Sequence, residues 1–132
     1  GGAKAAVVVS AMGRTTDQLI GMARELTSRP SRRELDALLA TGEQQSAALL
    51  TLALLKRGVS ARSFTGPQAG FRTDSNHGAA RVIRVDPEPV LTALAETDVV
   101  VVAGFQGNDA AGNITTLGRG GSDTTAVALV VR

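Results

Sequence analysis

Asp98-Val99-Val100-Val101-Val102-Ala103-Gly104-Phe105-Gln106-Gly107 opens, after its aspartate, on a continuous apolar run to Ala103 that closes on a glycine-rich turn. A half-exposed strand alternates apolar with polar residues. A run without alternation is what a strand buried on both faces of a parallel sheet requires. Parallel neighbours need crossover connections, usually helices, so helical segments should flank this strand on both sides. They do. Ala5 to Ser10 is a second short apolar run, closing on the loop Ser10-Ala11-Met12-Gly13-Arg14-Thr15-Thr16. A helix should follow, capped by Thr15 or Thr16, with Asp17 in its first turn and Leu19, Ile20, Ala23 and Leu26 on one face until Ser28-Arg29-Pro30 stops it.

Leu35, Leu38 and Leu39 predict a short second helix. Thr41-Gly42-Glu43 then reads as a break before a longer, largely buried helix with Ala47, Leu50, Leu54 and Leu55 on one face and Gly58 at its end. Ala61 to Phe64 predicts a strand, Thr65 to Gly70 a loop, and Ala80 to Val85 a strand with Arg81 and Arg84 outward. Asp86-Pro87 opens a helix through Leu94, the segment from Asn108 to Asn113 has turn composition, and an apolar helix is expected from Thr124. Strands alternating with helices predict an α/β fold: one domain over residues 1–132, a layered α/β/α sandwich with a mostly parallel sheet. Ligands of such folds gather at the carboxyl ends of the strands, where the glycine-rich loops fall.

Composition narrows the functional classes. With 132 residues and 43% hydrophobic content, the chain is long enough for one substantial core. No apolar stretch approaches the roughly 18 residues of a membrane span. Gly1-Gly2-Ala3-Lys4 leads into an apolar strand without the features of a secretory signal, so a cytoplasmic location is expected. Cysteine is absent and His77 is the single histidine, which argues against a zinc site and makes His77 a loop residue. A net charge of +2, scattered arginines and three Phe as the only aromatics provide no surface for stacking bases, so nucleic acid is not an expected partner.

Three groups of residues are candidates for chemistry. Gly118-Arg119-Gly120-Gly121-Ser122-Asp123 puts backbone N–H groups and small residues at a helix start, where an anion is stabilised, and Arg119 adds a fork for a carboxylate or phosphate. The glycines alternatively form a tight loop with Ser122 or Asp123 as a helix cap. Glu43 reads either as a ligand-facing carboxylate or as a residue favoured at a helix start by the dipole. Ser10, Thr15 and Thr16 either bind a polar ligand or serve turn chemistry. No lysine follows a glycine cluster, so a Walker-type phosphate loop is not present.

Val7-Val8-Val9-Ser10-Ala11-Met12-Gly13, Thr15-Thr16-Asp17, Thr41-Gly42-Glu43, Ser63-Phe64-Thr65-Gly66, Gln68-Ala69-Gly70, Val102-Ala103-Gly104-Phe105-Gln106-Gly107 and the run Thr115-Thr116-Leu117-Gly118-Arg119-Gly120-Gly121-Ser122-Asp123-Thr124-Thr125-Ala126 occur in the order and spacing of aspartokinase signatures. Over nearly its whole length the sequence resembles the aspartate-binding part of that family, within the amino-acid-kinase fold. The resemblance implies transfer of the γ-phosphoryl group of MgATP to the side-chain carboxylate of L-aspartate, a reaction governed by positioning and charge stabilisation. It implies that Arg119 clamps a substrate carboxylate, that Glu43 faces the substrate amino group and that Ser10 and Thr16 line the same pocket. Asp123 would be the organising carboxylate, catalytic together with Glu43, and Gly120, Gly121 and Ser122 would make close contacts to substrate.

The family's opening Lys-x-Gly-Gly strand would precede Ala5, and its Thr-Asp-x-Asp-Gly nucleotide segment and regulatory ACT domains would follow the Ser-Asp helix. A truncated amino-acid-kinase-like fold is therefore expected, with no cofactor for this chain alone and MgATP only with a complementing half. Gln44-Gln45 also stands where the family usually has Arg-Ile. The alternatives are a small descendant using Glu43 or Asp123 as acid or base in an ATP-independent reaction on another carboxylate or amine, and a non-catalytic assembly protein. A homo-oligomer or a complementing chain is the expected macromolecular partner, and an amino acid or other carboxylate the small-molecule one.

Overall fold

The computed structural model describes residues 3–118. Strand β1 (Ala5–Val9) leads through helices α1 (Thr15–Leu26) and α2 (Arg32–Lys56) to β2 (Ala61–Phe64), β3 (Phe71–Thr73) and β4 (Val82–Val85). Helix α3 (Glu88–Glu96) precedes β5 (Val99–Ala103), β6 (Gln106–Asn108) and β7 (Ile114–Thr116). The Val99–Ala103 run is the centre of a three-stranded parallel sheet, with β1 and β2 on either side. Its alternate residues face opposite layers, as the two-residue strand period demands. Val101 and Ala103 pack with Ala47, Leu50 and Leu54 of α2, whereas Val100 and Val102 pack with Val90 and Ala93 of α3. Residues Val100 to Ala103 are wholly buried. The result is the layered α/β arrangement expected, with a mostly parallel sheet.

Several local expectations are overturned. Thr41-Gly42-Glu43 does not break a helix: α2 runs unbroken for 25 residues, starting at Ser31, whose hydroxyl accepts the Glu34 N–H. Glu43 therefore lies in the middle of α2, and the reading of it as a helix-start residue is wrong. Gly42 is there for close approach. A Cβ at this position would sit 3.1 Å from Ala11 Cβ, 3.5 Å from Thr15 Cγ2 and 3.7 Å from Leu19 Cδ1, so the missing side chain is the space into which the turn after β1 settles. Helix α1 is preceded by Arg14 and has no side-chain cap, so neither Thr15 nor Thr16 acts as one. Nor is α2 largely buried, since Leu49, Leu52 and Leu55 stand about half exposed or more.

The segment from Phe71 to Leu117, interrupted by α3 and β5, builds a second sheet of order β4-β3-β6-β7 that the sequence analysis did not foresee. It is mixed: β3 runs parallel to β6, while β3–β4 and β6–β7 are antiparallel. The stretch read as loop around Asn108 to Asn113 is thus a hairpin turn between β6 and β7. Arg81 and Arg84 are exposed as expected, and β4 spans the core of the predicted Ala80–Val85 strand. Among the described residues no helix is long and apolar enough to cross a membrane. The expected final helix from Thr124 lies outside the described residues.

Candidate functional site

The three parallel strands end on one side of their sheet, and each leads into a short connection: Ser10 after β1, Thr65-Gly66 after β2, and Gly104-Phe105 after β5, which passes straight to Gln106 at the start of β6. This is the edge at which α/β folds hold ligands. Gln106 ties it together. Its side chain is fully buried, donates from Nε2 to the Ala40 carbonyl at 2.8 Å, and accepts at Oε1 from Gly66 N at 3.1 Å and from Gln44 Nε2 at 3.3 Å. One amide thus joins α2 to the turns after β2 and β5. Gly66 permits this approach, because a Cβ there would fall 2.2 Å from the Gln106 carbonyl oxygen.

Glu43 lies on the neighbouring part of α2 and is 5% exposed. Its Oε2 accepts the Ala11 N–H at 3.3 Å, which joins the helix to the turn after β1. Its Oε1 is buried and has no partner among the described residues, as is also true of Ser46 Oγ one helical turn on. Burial pushes the Glu43 carboxyl above its ordinary range, against the smaller opposing pull of the backbone N–H groups of Glu43 and Ala11. A buried carboxylate with an open oxygen is costly unless something positive or hydrogen-bonding completes it. Among the described residues, nothing cationic or hydrogen-bonding completes Glu43 Oε1.

Ser10 precedes Ala11 directly, and Thr16 follows Thr15, whose methyl group lies over Gly42. Ser10 and Thr16 are thus the chain neighbours of Ala11 and Thr15, the residues that touch the middle of α2 at Gly42 and Glu43. Ser10 is exposed and Thr16 half-buried. Arg119, Gly120, Gly121, Ser122 and Asp123 lie outside the described residues. Only Leu117 and Gly118 separate Thr116, the last residue of β7, from Arg119 in the sequence.

Two polar groups escaped the sequence analysis. Gln106 carried a signal, a lone amide between Gly104 and Gly107 straight after the core strand. Asp36 carried none, since it stands among the leucines of an amphipathic helix. It is 1% exposed, and His77, read correctly as a loop residue, lies with its Nδ1 2.7 Å from Asp36 Oδ2.

The amino acid kinase family profile matches residues 1–132. The chain is 55% identical to an aspartokinase of Geobacillus stearothermophilus over 123 residues, covering 93% of this chain and 30% of that relative. Among solved structures, it superposes on the aspartate kinase of Synechocystis with a TM-score of 0.74 at 47% identity, covering 95% of this chain and 20% of the other. It also superposes on E. coli aspartokinase III in complex with lysine and aspartate with a TM-score of 0.78 at 26% identity, covering 95% of this chain and 39% of the other. The chain thus spans about a third or less of the curated relatives it matches.

Proposed function

The chain belongs to the amino acid kinase family, and from that membership we propose that it carries the amino-acid-binding part of an aspartate-phosphorylating site. The observation that carries this reading is the buried Glu43 carboxylate, anchored on one side by the Ala11 N–H and without a partner at Oε1 among the described residues. In it, Glu43 receives the α-ammonium of L-aspartate, which supplies the missing counter-charge and restores the ionised carboxylate. Ser10 and Thr16 offer hydroxyls from the same turn. Arg119 grips a substrate carboxylate, with the N–H groups and hydroxyl of Gly120, Gly121 and Ser122 beside it and Asp123 ordering the charges. Glu43, Ser10 and Thr16 together with the Arg119–Asp123 run bind and orient the acceptor in this reading. MgATP, the phosphoryl donor in this reading, is held by groups other than these, with a complementing half supplying them.

Calorimetric titration of the purified chain with L-aspartate tests the reading, with Arg119→Ala, Glu43→Gln and the ammonium-free analogue succinate as comparisons. Binding of L-aspartate that is abolished by Arg119→Ala and reduced about tenfold or more by Glu43→Gln, with succinate bound weakly by both Glu43 forms, is the expected result. Equal affinity for succinate and L-aspartate would exclude Glu43 as the ammonium receptor.

A further inference from the structure

We propose that Asp36 is a positioning residue, which ties the strand leading into the Arg119 segment to the same helix that carries Glu43. The inference rests on the pocket reading above and adds a residue to which neither the resemblance nor the comparisons give a role. Asp36 is almost wholly buried, yet four donors converge on its carboxylate. Oδ1 accepts the Thr116 hydroxyl at 2.7 Å. Oδ2 accepts the Thr116 backbone N–H at 3.1 Å and the Gly78 N–H at 3.2 Å, and lies 2.7 Å from His77 Nδ1. A carboxylate already facing three donors leaves His77 to offer its Nδ1–H as a fourth. Burying a carboxylate is expensive, and so complete a set of charge-assisted hydrogen bonds makes this one a rigid junction.

The junction holds a particular piece of chain. Thr116 ends β7, three residues before Arg119, and the following residue, Leu117, donates its N–H to the Phe105 carbonyl at 2.9 Å. Pairing with β6 already fixes β7 within its sheet. What Asp36 adds is a bond between the carboxyl end of that strand and α2. Seven residues further along α2, two helical turns and about 10 Å up the axis, Glu43 makes the corresponding bond to Ala11. One unbroken helix thus carries both Glu43 and the carboxylate that holds the end of β7, the strand from which the sequence runs on to Arg119. In the proposed pocket the amino-acid length that fits depends on how the chain after β7 is held relative to α2, so loosening the Asp36 junction should blur discrimination between L-aspartate and L-glutamate.

The experiment compares the unsubstituted chain with Asp36→Asn, Thr116→Val and a core variant away from the site, Val90→Ala. Affinities for L-aspartate and L-glutamate are read by calorimetry, and amide hydrogen exchange of Thr116, Leu117 and Gly118 by NMR. Asp36→Asn is expected to weaken L-aspartate binding by about tenfold or more, to narrow the aspartate-to-glutamate ratio, and to speed exchange at residues 116–118 more than at β5. Thr116→Val, which removes only the hydroxyl bond, should move the same readouts less and serves if Asp36→Asn does not fold. Val90→Ala should lower stability without changing the ratio. If Asp36→Asn and Thr116→Val lose stability but keep the affinity ratio and the local exchange pattern, Asp36 is a purely structural group and the proposal fails. If the unsubstituted chain binds no L-aspartate, the pocket reading fails, and exchange at residues 116–118 alone decides whether Asp36 holds that segment.

Discussion

Replacing Gly42 by alanine pits two effects of known sign against each other in one helix. In an ordinary helix interior the substitution stabilises by about 0.5–1 kcal/mol, because glycine loses more backbone freedom on folding. Gly21, in α1, is such a position, since a Cβ there meets nothing within 4 Å. At Gly42 the new methyl would lie 3.1 Å from Ala11 Cβ, whereas carbon atoms rest at about 3.5–4.0 Å, so the turn must retreat by roughly 0.5 Å. Ala11 N is already 3.3 Å from Glu43 Oε2, and that retreat takes the pair out of hydrogen-bonding range. Losing a bond to a charged, buried group costs about 1.5–3 kcal/mol, more than the helix gains. Gly42→Ala should therefore destabilise by roughly 0.5–2.5 kcal/mol, a fall of about 2–10 °C in Tm for a chain of this size, while Gly21→Ala raises Tm. Thermal unfolding followed by circular dichroism, with both variants in one series, reads the difference. Equal stabilisation by both substitutions would refute the claim that the turn after β1 rests on α2 at Gly42.

Other consequences are open to direct measurement. Because burial raises the Glu43 carboxyl in the folded state, the native chain holds more protons than the unfolded one between the ordinary and the raised value, and stability contributed here falls as pH rises through that window. Glu43→Gln, which has no such titration, should match the parent at about pH 4 and gain on it toward about pH 8 in urea unfolding; a gap of constant size across that range would contradict a raised Glu43. Gly66→Ala drives a methyl to 2.2 Å from the backbone oxygen of Gln106, and since backbone cannot rotate away, a loss of at least about 3 kcal/mol is expected by the same assay. A loss below about 1 kcal/mol would mean that the turns after β2 and β5 are not packed as described.

The legible parts of the fold are those where local pattern and tertiary environment agree. Val99 to Ala103 needs burial on both faces and receives it, and Pro30 marks the gap between α1 and α2. The pattern misled where a residue was chosen for a neighbour distant in sequence. Gly42 has the local meaning of a helix breaker, yet its reason is Ala11, and only the fold brings the two together. Strands β6 and β7 are three residues each, built from Gln, Gly, Asn, Ile and Thr, too short and too polar for periodicity to register. Glu43 was marked as a site residue by resemblance, but its burial and its open oxygen follow from packing. Asp36 illustrates the limit most sharply, because its partners Gly78 and Thr116 are far along the chain.

The pairing of the parallel sheet also sets an order of assembly. Val99 is matched with Ala5 on one side and Ala61 on the other, so the strand at the centre is the last of the three to leave the ribosome. Until it arrives, β1 and β2 have no partner between them, while the α1–α2 hairpin, whose contacts are local, can form at once. Sheet closure must then span nearly the whole described chain, the kind of topology that folds in milliseconds to seconds rather than microseconds. During synthesis the apolar strand from Ala5 to Val9 therefore waits longer than β2 for the partner the two share, and is open to chaperones meanwhile.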